Sequence, residues 1–172
     1  MQKQPSAAAT QLAQRLRALR DLRDMTQDAL ARMSSVSRPS ITAMERGKSN
    51  PRFATLDQVA RVLDVDILEL ITSGLPASAS ADNRPSLERI ARNVNKVRAA
   101  LGVSQETLSV QSRHFRTYVG NLERQVVNPS LSDVEAIAFA LGVGIETLLQ
   151  PLEPGELEVD MQRLVRKTRK ET

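Results

Sequence analysis

The chain has 172 residues, 41 % hydrophobic and 26 % charged, which suits one ordinary domain or two small ones. The absence of Cys and the single His, His114, exclude disulfides, thiol chemistry, thiolate zinc and multi-histidine metal sites, and three Phe with one Tyr and no Trp require an aliphatic core. A formal charge of +4 permits an anionic partner without requiring one. In chain order, residues 1–9 are expected to be disordered. Leu12, Leu16 and Leu19 recur at helical spacing and predict a first helix. Thr26 is a good N-cap for a second helix over Gln27–Met33. Ser37 then opens a third helix through Arg46, with Pro39 in the first turn, where a missing amide costs little. Thr55-Leu56-Asp57-Gln58 has capping-box spacing and predicts a fourth helix ending near Leu63, and Asp66–Leu70 supplies a fifth.

The stretch Thr72–Pro85 is small, polar and Pro-containing, the composition of a flexible linker. Its ends would lie roughly 20 Å apart when flexible and about 45 Å apart when stretched. Beyond it the signals recur. Ser104 precedes Gln105–Gln111 as an N-cap, Ser132-Asp133-Val134-Glu135 repeats the capping box before a helix ending near Leu141, and Ile145–Leu149 is a further short helix. After Pro151 and Pro154, Leu157, Met161, Leu164 and Val165 predict one amphipathic helix, acidic at its start and basic at its end. That helix would serve either as a dimer seam or as a strut docked on its own domain. No strand pattern competes.

A shift of 78 residues brings Leu12–Ile71 onto Ile90–Leu149 without a gap, and 15 of the 60 paired positions are identical. The identities cluster in the strings Arg38–Glu45–Arg46–Asn50–Pro51 and Arg116–Glu123–Arg124–Asn128–Pro129. The expected organisation is therefore a tandem duplication. A domain at 10–71 carries a motif at 27–46, a linker follows at 72–85, a second domain at 86–150 carries a motif at 105–124, and a helical tail occupies 151–172.

Thr26-Gln27-Asp28-Ala29-Leu30-Ala31, Val36 through Gly47 and Asn50-Pro51 together resemble the phage-repressor helix-turn-helix family, of the Cro/C1 or XRE type. Ser104-Gln105-Glu106-Thr107-Leu108, Arg116 through Arg124 and Asn128-Pro129-Ser130-Leu131 resemble it again. The resemblance covers about 120 of the 172 residues and implies an all-α fold. It would comprise two tandem five-helix repressor-like DNA-binding domains, a flexible linker and a C-terminal amphipathic helix.

In this family the second helix of the motif crosses the DNA backbone while the third lies in the major groove. The resemblance implies that Gln27 and Gln105 approach phosphate or a neighbouring base. It implies that Ser37, Arg38, Pro39, Ser40, Thr42 and Ala43 face the groove in the first copy, and Arg116, Thr117, Tyr118 and Asn121 in the second. Arg38 would hold a guanine with two prongs, Ser40 or Thr42 would bond a base edge or phosphate, and Pro39 would meet a thymine methyl. Arg46, Lys48 and Arg52 would bind phosphates, with Arg124 as the main counterpart in the second copy. Ile41, Met44, Val119 and Leu122 would pack inward. Tyr118 suits either a core or a groove, and the resemblance implies the groove.

Glu45 and Glu123 are expected to be structural, pairing with Arg20 and Arg98, and His114 to be a partly buried turn residue. Several positions depart from the family pattern. Ser35 and Arg113 stand where the turn between helices two and three usually has Gly. Either they take a left-handed conformation at a cost of about 1–2 kcal/mol, or the turn differs. Phe115 fills the N-cap slot of the second copy's third helix. Gln125, Val126 and Val127 replace Gly47, Lys48 and Ser49, which removes a phosphate contact. The first copy has ten basic and eight acidic residues, the second six and five.

The function expected is a sequence-specific transcriptional regulator, a repressor, that binds double-stranded DNA without catalysis, metal or cofactor. The alternative is a protein-interaction regulator, antitoxin-like or anti-activator, in which one or both domains grip a protein. Self-association would run through the fifth helices or the tail. No apolar stretch approaches the ~18–20 residues that span a bilayer, and the N-terminus lacks the apolar stretch of a signal peptide. The expected location is the cytoplasm, at the bacterial nucleoid when bound.

Overall fold

The structure, a computed structural model, describes residues 6–72 and 85–151. The predicted tail helix and most of the linker lie outside these residues. The described residues fold as ten helices in two compact units, the first ending at Ser86 and the second starting at Leu87, Ser130–Ser132 apart.

The first unit contains α1 (Ala7–Leu22), α2 (Gln27–Ser34), α3 (Arg38–Glu45), α4 (Phe53–Val62) and α5 (Ile67–Ile71). Its start corrects the expectation of disorder for residues 6–9 alone, residues 1–5 lying outside the described residues, because Ser6 caps α1 by accepting from the Ala9 amide at 3.2 Å. Ala7, Ala8 and Ala9 are strong helix formers, and the last two are buried. Leu12, Leu16 and Leu19 form the inner stripe of α1, which packs on α3 and α5. Ile41 and Met44 bury the inner face of α3, while Arg38, Pro39 and Ser40 stay outside. Full burial of such aliphatic side chains contributes about 1.5–3 kcal/mol each and compensates for the scarcity of aromatics.

The second unit contains α6 (Ser86–Ala100), α7 (Gln105–Gln111), α8 (Tyr118–Glu123), α9 (Leu131–Leu141) and α10 (Ile145–Leu149). Ile90, Val94, Leu108, Val119, Leu122 and Ile137 are fully buried in it. The capping boxes do not mark helix starts. α4 begins two residues before Thr55 with Arg52 at the N-cap, where its side chain makes no capping bond to the helix, and α9 begins at Leu131. In both places a large buried residue, Phe53 or Leu131, draws the chain into the helix earlier than the cap signal suggests.

The left-handed positions show how similarly the units are built. Asp24, Ser35, Gly47 and Asp64 have positive φ in the first, and Gly102, Arg113, Gln125 and Gly142 in the second, each pair 78 residues apart. Ser35 (φ 57°) and Arg113 (φ 62°) therefore adopt the strained conformation expected where the family pattern has Gly, and Gln125 (φ 59°) matches Gly47 (φ 64°).

Candidate nucleic-acid interface

The exposed face of α3 in the first unit is set by a polar clamp behind it. Arg20 Nε donates to Glu45 Oε1 at 2.6 Å and Nη1 to the Met25 carbonyl at 2.7 Å. Gln27 Nε2 donates to Glu45 Oε2 at 2.8 Å, and the Thr42 hydroxyl donates to Gln27 Oε1 at 3.0 Å. Both ends of the Gln27 amide are thus engaged inside the unit, which fixes α2 against α3. Burial pushes the Glu45 carboxyl up, but the bonds from Arg20 and Gln27 more than offset it and hold it below its ordinary value. The Glu45 bond in turn raises the Arg20 guanidinium.

In front of the clamp lies an open depression of about 590 Å³ lined by Gln27, Arg38, Pro39, Thr42, Ala43, Arg46 and Lys48. Seven of the ten residues expected to meet DNA in the first copy therefore converge on one surface. Ser37, Ser40 and Arg52 are exposed but outside that lining. Ser37 caps α3 by accepting from the Ser40 amide at 3.3 Å, and its hydroxyl lies 2.7 Å from that of Ser40. Arg52 stands at the start of α4. Arg38 carries a partner that was not foreseen, since its Nε lies 3.3 Å from Asp28 Oδ1. A recurring acid–Arg spacing of ten residues (Asp28/Arg38, Glu106/Arg116) was the available signal.

The second unit repeats the clamp. Arg98 bonds Glu123 through Nε at 2.7 Å and the Val103 carbonyl through Nη1 at 2.9 Å, while Gln105 donates to Glu123 at 2.6 Å. Burial raises the Glu123 carboxyl, and the Arg98, Asn95 and Gln105 bonds together bring it below its ordinary value. Gly120 stands where the first unit has Thr42, so the hydroxyl that holds Gln27 has no equivalent for Gln105.

The reading face differs. α8 starts at Tyr118, so Arg116 and Thr117 lie in a preceding turn rather than on the helix. Phe115 has no side-chain acceptor to cap a longer helix, and a turn forms instead, with the Tyr118 amide donating to the Phe115 carbonyl at 2.9 Å. The groove placement of Tyr118 is corrected. Its side chain is buried, with the residue 8 % exposed, stacked on His114 at 4.0 Å and edge-on to Phe115 at 5.5 Å. His114 is a turn residue, its ring nitrogens 3.0 Å from Ser112 Oγ and 3.3 Å from Asp133 Oδ1. Arg124 is exposed but folds back, donating to the Gly120 carbonyl at 3.2 Å and to Asn121 Oδ1 at 2.6 Å. Arg116 pairs with Glu106 at 2.8 Å.

Among the described residues no group of three acidic or imidazole side chains is arranged to hold a metal, and no helix is long and apolar enough to cross a membrane.

Comparison with known proteins defines the class. A helix-turn-helix family model matches residues 16–70. A hypothetical transcription factor of Neisseria meningitidis serogroup B is 44 % identical over 62 residues, 36 % of this chain and 58 % of that protein. The control protein C.SmaI of Serratia marcescens is 39 % identical over 62 residues, and this chain covers 74 % of its length. The chain belongs to the helix-turn-helix family, of the Cro/C1 (XRE) type. A crystal structure of the hypothetical transcription factor NHTF from Neisseria aligns at 37 % identity over 51 % of this chain and 99 % of that one, with a TM-score of 0.40.

Proposed function

We propose that the chain is a sequence-specific DNA-binding transcriptional regulator, a repressor, built from two tandem helix-turn-helix domains and acting by occupancy rather than catalysis. The observation that carries this reading is the depression in front of α3. Arg38, Pro39, Thr42 and Ala43 offer a mixed polar and apolar surface for base edges, and Arg46 and Lys48 border it with positive charge for phosphates. The names of the relatives, a transcription factor and a control protein, agree with it. Two domains with different reading faces would occupy unlike half-sites about one helical turn, ~34 Å, apart, and the linker length permits that span.

A second reading is favoured for the second unit alone. Phe115 (61 % exposed) and Val126 (70 % exposed) take the places that Ser37 and Lys48 hold in the first, so the face suits an apolar protein surface better than a phosphate backbone.

The test is binding of the full chain to DNA from upstream of its own gene, against scrambled competitor, at several salt concentrations. A competitor-resistant complex is expected, weakened to the level of scrambled DNA by Arg38→Ala. Lys48→Ala is expected to weaken binding to every sequence and to flatten the salt dependence by about 0.9, the value of one phosphate contact. Equal binding to both DNAs, lost at physiological salt, followed by failure to enrich any motif from randomised duplexes, overturns the reading.

A further inference from the structure

Asp28 is the second residue of α2 and Arg38 the first of α3, and their side chains meet at 3.3 Å between Oδ1 and Nε. The second unit has the same pairing in the same register, Glu106 Oε1 to Arg116 Nη1 at 2.8 Å. Both pairs are open to solvent, at 62 % and 50 % exposure for Arg38 and Asp28 and 78 % and 59 % for Arg116 and Glu106. Exposed ion pairs of this kind contribute little to stability. A carboxylate beside a surface that meets phosphates also weakens binding to any DNA, whatever its sequence. Each carboxylate also lies in the first turn of its helix, where negative charge is favourable, but that role requires no arginine opposite, and the arginine present in both units calls for another use.

We propose that Asp28 is a specificity-determining positioning residue that orients the Arg38 guanidinium for guanine. This rests on the DNA-reading role proposed for Arg38. A free arginine samples many rotamers and reaches phosphates as readily as bases. A carboxylate held at Nε restricts that search and leaves the Nη1–Nη2 end to meet the O6 and N7 acceptors of guanine. It also repels a phosphate that would otherwise capture the same side chain. Glu106, longer by one methylene, engages Arg116 at Nη1 instead. The guanidinium of the second unit is therefore offered by its Nε–Nη2 edge, and the two arginines approach a base differently.

The test is selection from a duplex library of randomised sequence with the full chain, with Asp28→Asn, which keeps the side chain's shape and removes its charge, with Asp28→Glu and with Arg38→Ala. Thermal unfolding of each protein and affinity for an unselected duplex are measured alongside. The wild type is expected to enrich a motif with a guanine that Arg38→Ala no longer selects. Asp28→Asn is expected to lower preference for that guanine roughly tenfold while binding the unselected duplex as tightly as wild type or more so, with unfolding lowered only by the small loss of a first-turn charge. Asp28→Glu, which restores the charge, is expected to recover at least part of the preference. If the wild type enriches the motif and Asp28→Asn keeps its guanine preference, the positioning role is overturned and the DNA reading stands. If Arg38→Ala keeps the guanine, or the wild type enriches nothing, the assignment of Arg38 as a base reader falls and this role falls with it.

Discussion

Arg20 holds Glu45 by both carboxylate oxygens, Nε to Oε1 at 2.6 Å and Nη2 to Oε2 at 3.3 Å, and so ties the end of α1 to the end of α3. Its third arm reaches the Met25 carbonyl, which fixes the turn into α2. The Glu45 side chain is only 5 % exposed. Removing it leaves the largely buried Arg20 guanidinium with only the half-exposed Asp21 carboxylate at 2.7 Å and the Met25 carbonyl, so Glu45→Ala is expected to destabilise the first unit by about 2–3 kcal/mol. Glu45→Gln keeps one acceptor and is expected to cost about 1–2 kcal/mol. Urea unfolding of the full chain checks both, and equal midpoints for Glu45→Ala and wild type would show that the clamp contributes nothing.

Acid should loosen both units for the same reason. The Glu45 and Glu123 carboxyls are held below the ordinary value of 4.5, so the folded state binds their protons less readily than the unfolded state does. Their contribution is complete above that value and is lost as pH falls through the lower folded one. Stability measured from pH 7 downward is expected to be level in this respect until about pH 5 and then to decline. In the Glu45→Gln/Glu123→Gln double variant the acid decline should be shallower, which urea midpoints at each pH would register.

Five non-glycine residues among those described hold left-handed backbone, and Ser35, Arg113 and Gln125 pay more for it than Asp24 and Asp64, whose short acidic side chains tolerate that region. Each of Ser35→Gly, Arg113→Gly and Gln125→Gly relieves steric strain of about 1–2 kcal/mol and adds flexibility to the unfolded chain worth somewhat less. A net gain of about 0.5–1 kcal/mol per site is expected in thermal or urea unfolding. A loss at any site would contradict the left-handed geometry there.

Tyr118 is a packing residue of the second unit rather than a groove residue. Tyr118→Ala is expected to cost about 3 kcal/mol and Tyr118→Phe much less, read by denaturant unfolding. Neither should alter the base preference of the motif enriched by the full chain, provided the protein is folded. A changed preference in Tyr118→Phe at unchanged stability would return the hydroxyl to the DNA.

Much of this protein is legible without coordinates because its helix signals are local. Thr26, Ser37 and Ser104 each cap the helix that follows, as their side-chain chemistry requires. The pairing of Arg20 with Glu45 and Arg98 with Glu123 was visible from the repeat, since a 78-residue shift carries one pair onto the other. The first unit's α3 face agrees with what the family resemblance implied, with Ile41 and Met44 turned in and Arg38 and Pro39 turned out.

Tertiary packing decided the rest. Ser35 and Arg113 bend left-handed, a conformation neither residue prefers on its own, so the choice between that and a reshaped turn was made by the packed chain and not by local preference. Phe53 and Leu131 began α4 and α9 ahead of the capping signals because burying a large side chain outweighs a cap of about 1 kcal/mol. Gln27 turned from an expected outward role to Glu45 and Thr42, partners 18 and 15 residues along the chain, and Tyr118 went inward onto His114 once the turn before α8 had formed. Sequence determines which residues can cap, alternate or pair. Which partner wins depends on distances that exist only after the helices have packed.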